Sequence, residues 1–148
     1  MNVELIQNAS HLLRGELSPE TGIELDLPVA AIQPYALLLE QSEMPAVRRQ
    51  RLLSIYIAIK LALQRHGECE ATGGGEALVR KVLDGDYLYS LYVQLCLKWG
   101  EIDLLAKLAP VLKQIQIQRA EGQPDDDHLL KSLELYLQLE SHRIRRAI

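Results

Sequence analysis

Apolar residues recur at helical spacing along almost the whole chain, and no strand-like alternation competes with them. Leu5, Ile6, Ala9, Leu12 and Leu13 form a first amphipathic segment, which Gly15 is expected to stop. Ser18 to Pro28 reads as a connector punctuated by Pro19, Gly22 and Pro28. A second helix covers about 29–41 and is expected to be disturbed by Pro34. Pro45 opens a third, and Gly67 closes it after Arg65 and His66. A loop with three consecutive glycines, Gly73 to Gly75, leads to a fourth helix from about Glu76 to Trp99, ended by Gly100. Glu101 and Asp103 then place acids at the positive end of a fifth helix, in which Pro110 predicts a kink before the end near Gly122. After the turn Gly122-Gln123-Pro124-Asp125, Asp125 or Asp126 is placed to cap a last helix carrying Leu129, Leu130, Leu133, Tyr136, Leu137 and Ile144. The expected fold is all-α: one domain over 1–148, a bundle of about six helices, without internal repeat or low-complexity tail.

Two of these helices are unusually apolar. From Asp86 onward the polar residues of the fourth are Asp86, Ser90, Gln94 and Lys98, spaced by four, so they form one narrow line. The rest, Tyr87, Leu88, Tyr89, Leu91, Tyr92, Val93, Leu95, Cys96 and Leu97, predicts contact on several sides. The third helix is similar, with Leu52, Leu53, Ile55, Tyr56, Ile57, Ile59, Leu61 and Leu63. Two readings stay open: both helices cross the centre of the chain's own bundle, or one presents a face to a partner subunit or a lipid-like ligand.

Composition narrows the classes. A length of 148 residues suits one domain, and 48% hydrophobic with 24% charged residues is ordinary for a globular chain. Net charge −4 and a pI near 5.6 argue against a nucleic-acid-binding footprint. Arg143, Arg145 and Arg146 cluster at the end of the last helix, where cations complement the dipole. Two cysteines, Cys69 in a polar loop and Cys96 in an apolar run, make no disulfide framework. Asn2, Glu4 and Gln7 interrupt any leader-like apolar core at the start. The longest apolar stretches, around 52–63 and 87–97, are too short and interrupted to span a bilayer. The expected compartment is the cytoplasm.

Familiar catalytic and metal patterns are missing. Gly73-Gly74-Gly75 follows no strand and precedes no Lys-Ser/Thr pair, so it reads as a connector rather than a phosphate loop. His11, His66, His128 and His142 have no paired metal spacing, and no metal ligands or catalytic residues are assigned to this chain. His66, at a helix end, reads as a cap or dipole partner. Ser54 and Ser90 have no base within sequence reach. Asp86, on a mostly apolar helix, needs a partner if buried: a hydrogen bond to a neighbouring helix, or a role at a subunit boundary.

The run Val82-Leu83-Asp84-Gly85-Asp86-Tyr87-Leu88 resembles the Gly-Asp-aromatic-Leu helix of trans-prenyl diphosphate synthases. Ala62-Leu63-Gln64-Arg65-His66 before it, Tyr92 within it and Gly100-Glu101-Ile102 after it extend the resemblance to the small component of heptaprenyl diphosphate synthase. The likeness is clearest over 52–119, and its motif residues here are His66, Gly85, Asp86, Tyr87 and Tyr92. It implies an isoprenoid-synthase-like bundle and a large catalytic partner subunit. The implied reaction adds isopentenyl diphosphate to a farnesyl-type primer, giving a long polyprenyl chain, heptaprenyl by the resemblance, for a quinone such as menaquinone. The chain departs from catalytic relatives at both aspartate-rich motifs: Leu61 to Glu68 holds no aspartate, and Asp125-Asp126-Asp127-His128-Leu129 lacks the fifth-position acid. Magnesium is therefore expected in the partner, with no cofactor held by this chain. Asp86, Tyr87, Leu88, Leu91, Tyr92 and Leu95 are the candidates for the partner interface or the product channel. Self-association through the same surface is a further expectation. The alternative is a free-standing helical adaptor or regulator.

Overall fold

The structure is a computed structural model that describes residues 2–123 and 127–147. Six helices follow in chain order: α1 (Asn2–Glu16), α2 (Val29–Glu40), α3 (Ala46–Gly67), α4 (Gly75–Lys98), α5 (Ile102–Ala120) and α6 (His128–Ala147). Short 3₁₀ turns lie at Pro19–Thr21 and Glu70–Thr72. Among the described residues there is no strand, and the chain forms one all-α unit around one buried cluster.

Most boundaries follow from local chemistry. Pro28 and Pro45, extended at φ near −65° and −62°, stand immediately before α2 and α3. The ring leaves no amide to orphan at such positions. Gly100 adopts φ +70°, a left-handed conformation open to glycine at little cost, and so turns α4 into α5. One expectation needs correction. Gly15 does not stop α1, which runs to Glu16 with the Leu17 amide bonded to the Leu13 carbonyl at 3.0 Å. Burial of Leu5, Ile6, Ala9 and Leu13 on one stripe outweighs the roughly 1 kcal/mol that glycine costs a helix. As expected, α2 and α5 run on past Pro34 and Pro110, each of which lies inside its helix. Both are exposed, as are Ala30 and Ala106, four residues earlier, whose carbonyls lose the amide partner that a non-proline residue would supply. The expected cap at Asp125 or Asp126 lies outside the described residues.

The bundle centres on α3, every residue of which from Leu52 to Ile59 is buried. Its most extensive neighbours are α4 and α1, and α2 packs against α1 and α3. The Ser54 hydroxyl, fully buried on α3, donates to the Ala9 carbonyl of α1 at 2.8 Å. Tyr35 and Tyr56 stack α2 on α3 with ring centroids 4.8 Å apart. The pair α5–α6 packs together and reaches the rest chiefly through α4 and α2. Enclosure on several sides thus holds for α3, and for α4 from Asp86 onward except at Leu97, but not for the first turns of α4. Helix α4 buries Gly85, Leu88, Leu91, Tyr92, Leu95 and Cys96 but leaves Val79, Val82, Leu83 and Leu97 exposed. A stretch of helix at the margin of the bundle has only one side to bury, however apolar its sequence.

Candidate functional site

Three of the resemblance residues, His66, Gly85 and Asp86, meet where the end of α3 packs against the middle of α4. His66 Nε2 lies 2.9 Å from Asp86 Oδ1. Its ring covers Gly85 so closely that a β-carbon there would stand 2.3 Å from His66 Cδ2 and 2.5 Å from Nε2. Gly85 carries no positive φ, so the requirement for glycine is the approach of the ring, not a special backbone. The next residue, Tyr87, is half-buried and its hydroxyl accepts the Ser18 amide at 2.9 Å, tying the α1–α2 connector to α4. Arg80 adds a bond to the Thr21 carbonyl and an ion pair with Asp84 at 3.0 Å. His66 stands in the last turn of α3, where a cap or dipole partner is expected, and its ring also bridges to α4. Asp86 has the inter-helix partner expected of it, but at the surface, with its side chain 64% exposed.

The six interface or channel candidates divide between surface and interior. Asp86 is exposed and Tyr87 half-buried, while Leu88, Leu91, Tyr92 and Leu95 lie in this chain's own core. Burial pushes the Tyr92 hydroxyl's pKa up, and the edge of Tyr89 meets its ring at a 5.2 Å centroid distance. The polar line Asp86, Ser90, Gln94 and Lys98 is wholly exposed. At 100° per residue, Val79, Val82, Leu83 and Leu97 share that side of α4 with Asp86 and Ser90. The outward face of α4 is accordingly apolar near its start and again near its end, with acid and hydroxyl groups between.

A second cluster escaped the sequence reading. Arg48, in the first turn of α3, bonds Glu101 Oε2 through Nε (2.9 Å) and Oε1 through Nη2 (3.0 Å). The same guanidinium reaches Glu140 of α6 through Nη1 (2.5 Å) and Nη2 (2.8 Å). Glu101 is not merely an exposed dipole partner at the start of α5: it is 7% exposed. The paired carboxylates raise the Arg48 pKa, and the Arg48 hydrogen bond holds the Glu140 carboxyl below the usual carboxylate range. Burial, with Glu101 nearby, pushes the Cys96 thiol up to about 12, so this sulfur is an inert core group. Cys69 is partly buried and its thiol donates to the Arg65 carbonyl at 3.4 Å.

Beside the Arg48 cluster, an open groove of about 410 Å³ runs between the α2–α3 turn and α6, with Leu38, Met44, Leu137 and Ile144 in its walls. Among the described residues, no three His, Cys, Asp or Glu side chains converge in a geometry that could hold a metal ion. None of the helices there is long and apolar enough to cross a membrane. No protein-family model, curated protein or solved structure matches this chain.

Proposed function

We propose that this chain is the non-catalytic small subunit of a heterodimeric long-chain trans-prenyl diphosphate synthase of the cytoplasm. The observation that carries the reading is the joint of His66, Gly85 and Asp86. Residues from two separate stretches of the family-like sequence form one contact, and Gly85 is sterically required in it. Magnesium and both diphosphates belong in this reading to the partner's aspartates. The role left to this chain is shape. Each added isoprene unit exposes apolar surface worth roughly 4 kcal/mol at about 0.8 kcal/mol per methylene, so a growing product needs a continuous dry wall. A helix the length of α4 spans about 36 Å at about 1.5 Å per residue, enough for such a wall.

Burial refines which residues would serve. Leu88, Leu91, Tyr92 and Leu95 would act from within, by holding α4 straight and in place. Contact with the catalytic subunit, or with the product, would fall to Val79, Val82, Leu83, Asp86 and Tyr87. Without the partner, the same face favours self-association. The free-standing adaptor is supported by one observation: the chain closes a complete core of its own. Co-expression with a large subunit carrying both aspartate-rich motifs, followed by size-exclusion chromatography, separates the two. Co-elution as a stable one-to-one complex supports the subunit reading, and independent elution supports the adaptor.

A further inference from the structure

The α5–α6 pair is joined to the rest of the molecule differently from the other helices. The helices α1, α3 and α4 share long packed faces, whereas α5 meets the body mainly along α4 and α6 mainly along α2. Polar ties cross this seam at its two ends. At one end Arg48 holds Glu101, immediately before α5, and Glu140 of α6. At the other, Arg119 of α5 donates to the Leu63 carbonyl of α3 at 2.8 Å, its guanidinium against Gly67. Tyr35 of α2 and Tyr136 of α6, both buried, lie near Arg48. The groove between the α2–α3 turn and α6 shows that the seam is not fully closed along α6. The chain enters the pair through Gly100, whose left-handed backbone makes a sharp joint after α4.

We propose that α5–α6 is a flap that opens as a unit on the α1–α4 body about the Trp99–Glu101 joint, with Arg48 as its latch. One guanidinium makes four charge-assisted bonds, to Glu101 in the joint and to Glu140 of α6, so its loss removes the polar tie that both helices share at this end. The body has the larger share of the packing: α3 meets α1 and α4 far more extensively than α5 or α6 meets the body, although all six helices contribute to one buried cluster. Opening therefore bares the apolar inner faces of α5 and α6 without unfolding the centre. This inference does not depend on the prenyl synthase reading.

Amide hydrogen exchange of the full chain at pH 7, read by mass spectrometry, tests it. In the unaltered protein, amides of α5 and α6 should exchange together, at least tenfold faster than those of α3. Arg48→Met should speed α5 and α6 by at least tenfold more than it speeds α1 and α3. Arg80→Met, which breaks an ion pair away from the seam, should change neither. Should Arg48→Met fail to fold, Glu140→Gln removes only the α6 arm of the latch and should accelerate α6 selectively. Protection of α5 and α6 equal to that of α3, or acceleration of all helices alike in these variants, would overturn the proposal.

Discussion

Gly85→Ala is expected to change sign with the residue at position 66. The added methyl would stand 2.3 Å from His66 Cδ2, inside any real carbon contact, so the ring must leave. Such overpacking costs typically about 1–3 kcal/mol. Displacement also forfeits the 2.9 Å bond to Asp86, which at this exposed site is worth no more than about 1 kcal/mol. Against this, alanine inside a helix is better than glycine by about 0.5–1 kcal/mol. The expected net result with His66 present is a destabilisation of about 1–2 kcal/mol. With His66→Ala already in place the three nearest atoms to the methyl, all of the His66 ring, are gone, and Gly85→Ala should stabilise by about 0.5–1 kcal/mol. Urea unfolding of the four proteins, followed by far-ultraviolet circular dichroism, measures the coupling. A shift of 1 kcal/mol corresponds to about 2–4 °C in Tm for a chain of this size, so thermal melts provide a second reading. The reasoning is refuted if Gly85→Ala has the same effect in both backgrounds to within about 0.5 kcal/mol.

Four further outcomes are expected. Arg48→Met leaves Glu101 and Glu140 without their counter-charge and should cost about 3–5 kcal/mol in urea unfolding, of which neutralising both acids together should restore at least half. Glu140, whose folded pKa is lowered, contributes stability that is present above its unfolded value near 4.5 and lost as pH falls through the folded value; Glu140→Gln should flatten that acid limb in pH-dependent melts. Leu53→Ala, fully enclosed on α3, should cost about 2–5 kcal/mol, whereas Leu83→Ala, exposed on α4, should stay within about 0.5 kcal/mol by chemical denaturation. Val82→Glu with Leu83→Glu should leave the melting curve of the isolated chain nearly unchanged and abolish co-elution with a catalytic subunit.

The helices were legible because their punctuation is local. Pro28, Pro45 and Gly100 act through their own backbones, and the spacing of Leu5, Ile6, Ala9 and Leu13 shows a buried stripe without knowledge of what covers it. Enclosure was legible for α3 and for α4 from Asp86 onward, but which apolar residues face outward was not, because an apolar majority records how much a helix could bury, not how many neighbours it has. That is why Leu88 and Leu91 read as surface candidates while Val79 and Val82 passed unnoticed. The Arg48 cluster left no trace in the sequence. Arg48 and Glu101 stand 53 positions apart and Arg48 and Glu140 stand 92 apart, and each alone resembles an ordinary surface charge on or beside a helix. The meeting of His66 with Gly85 could be anticipated only as two separate motif fragments. Their contact depends on how α3 crosses α4, which no local pattern encodes.

The central claim is that this chain supplies form to another subunit's metal chemistry. It is tested most directly by incubating the protein with magnesium, farnesyl diphosphate and labelled isopentenyl diphosphate, alone, with a candidate catalytic subunit, and with that subunit in the absence of this chain. The account predicts long-chain polyprenyl diphosphate from the mixture and none from this chain alone, with little or shorter product from the partner alone. Turnover by this chain by itself, or a partner whose rate and product length ignore its presence, would contradict it.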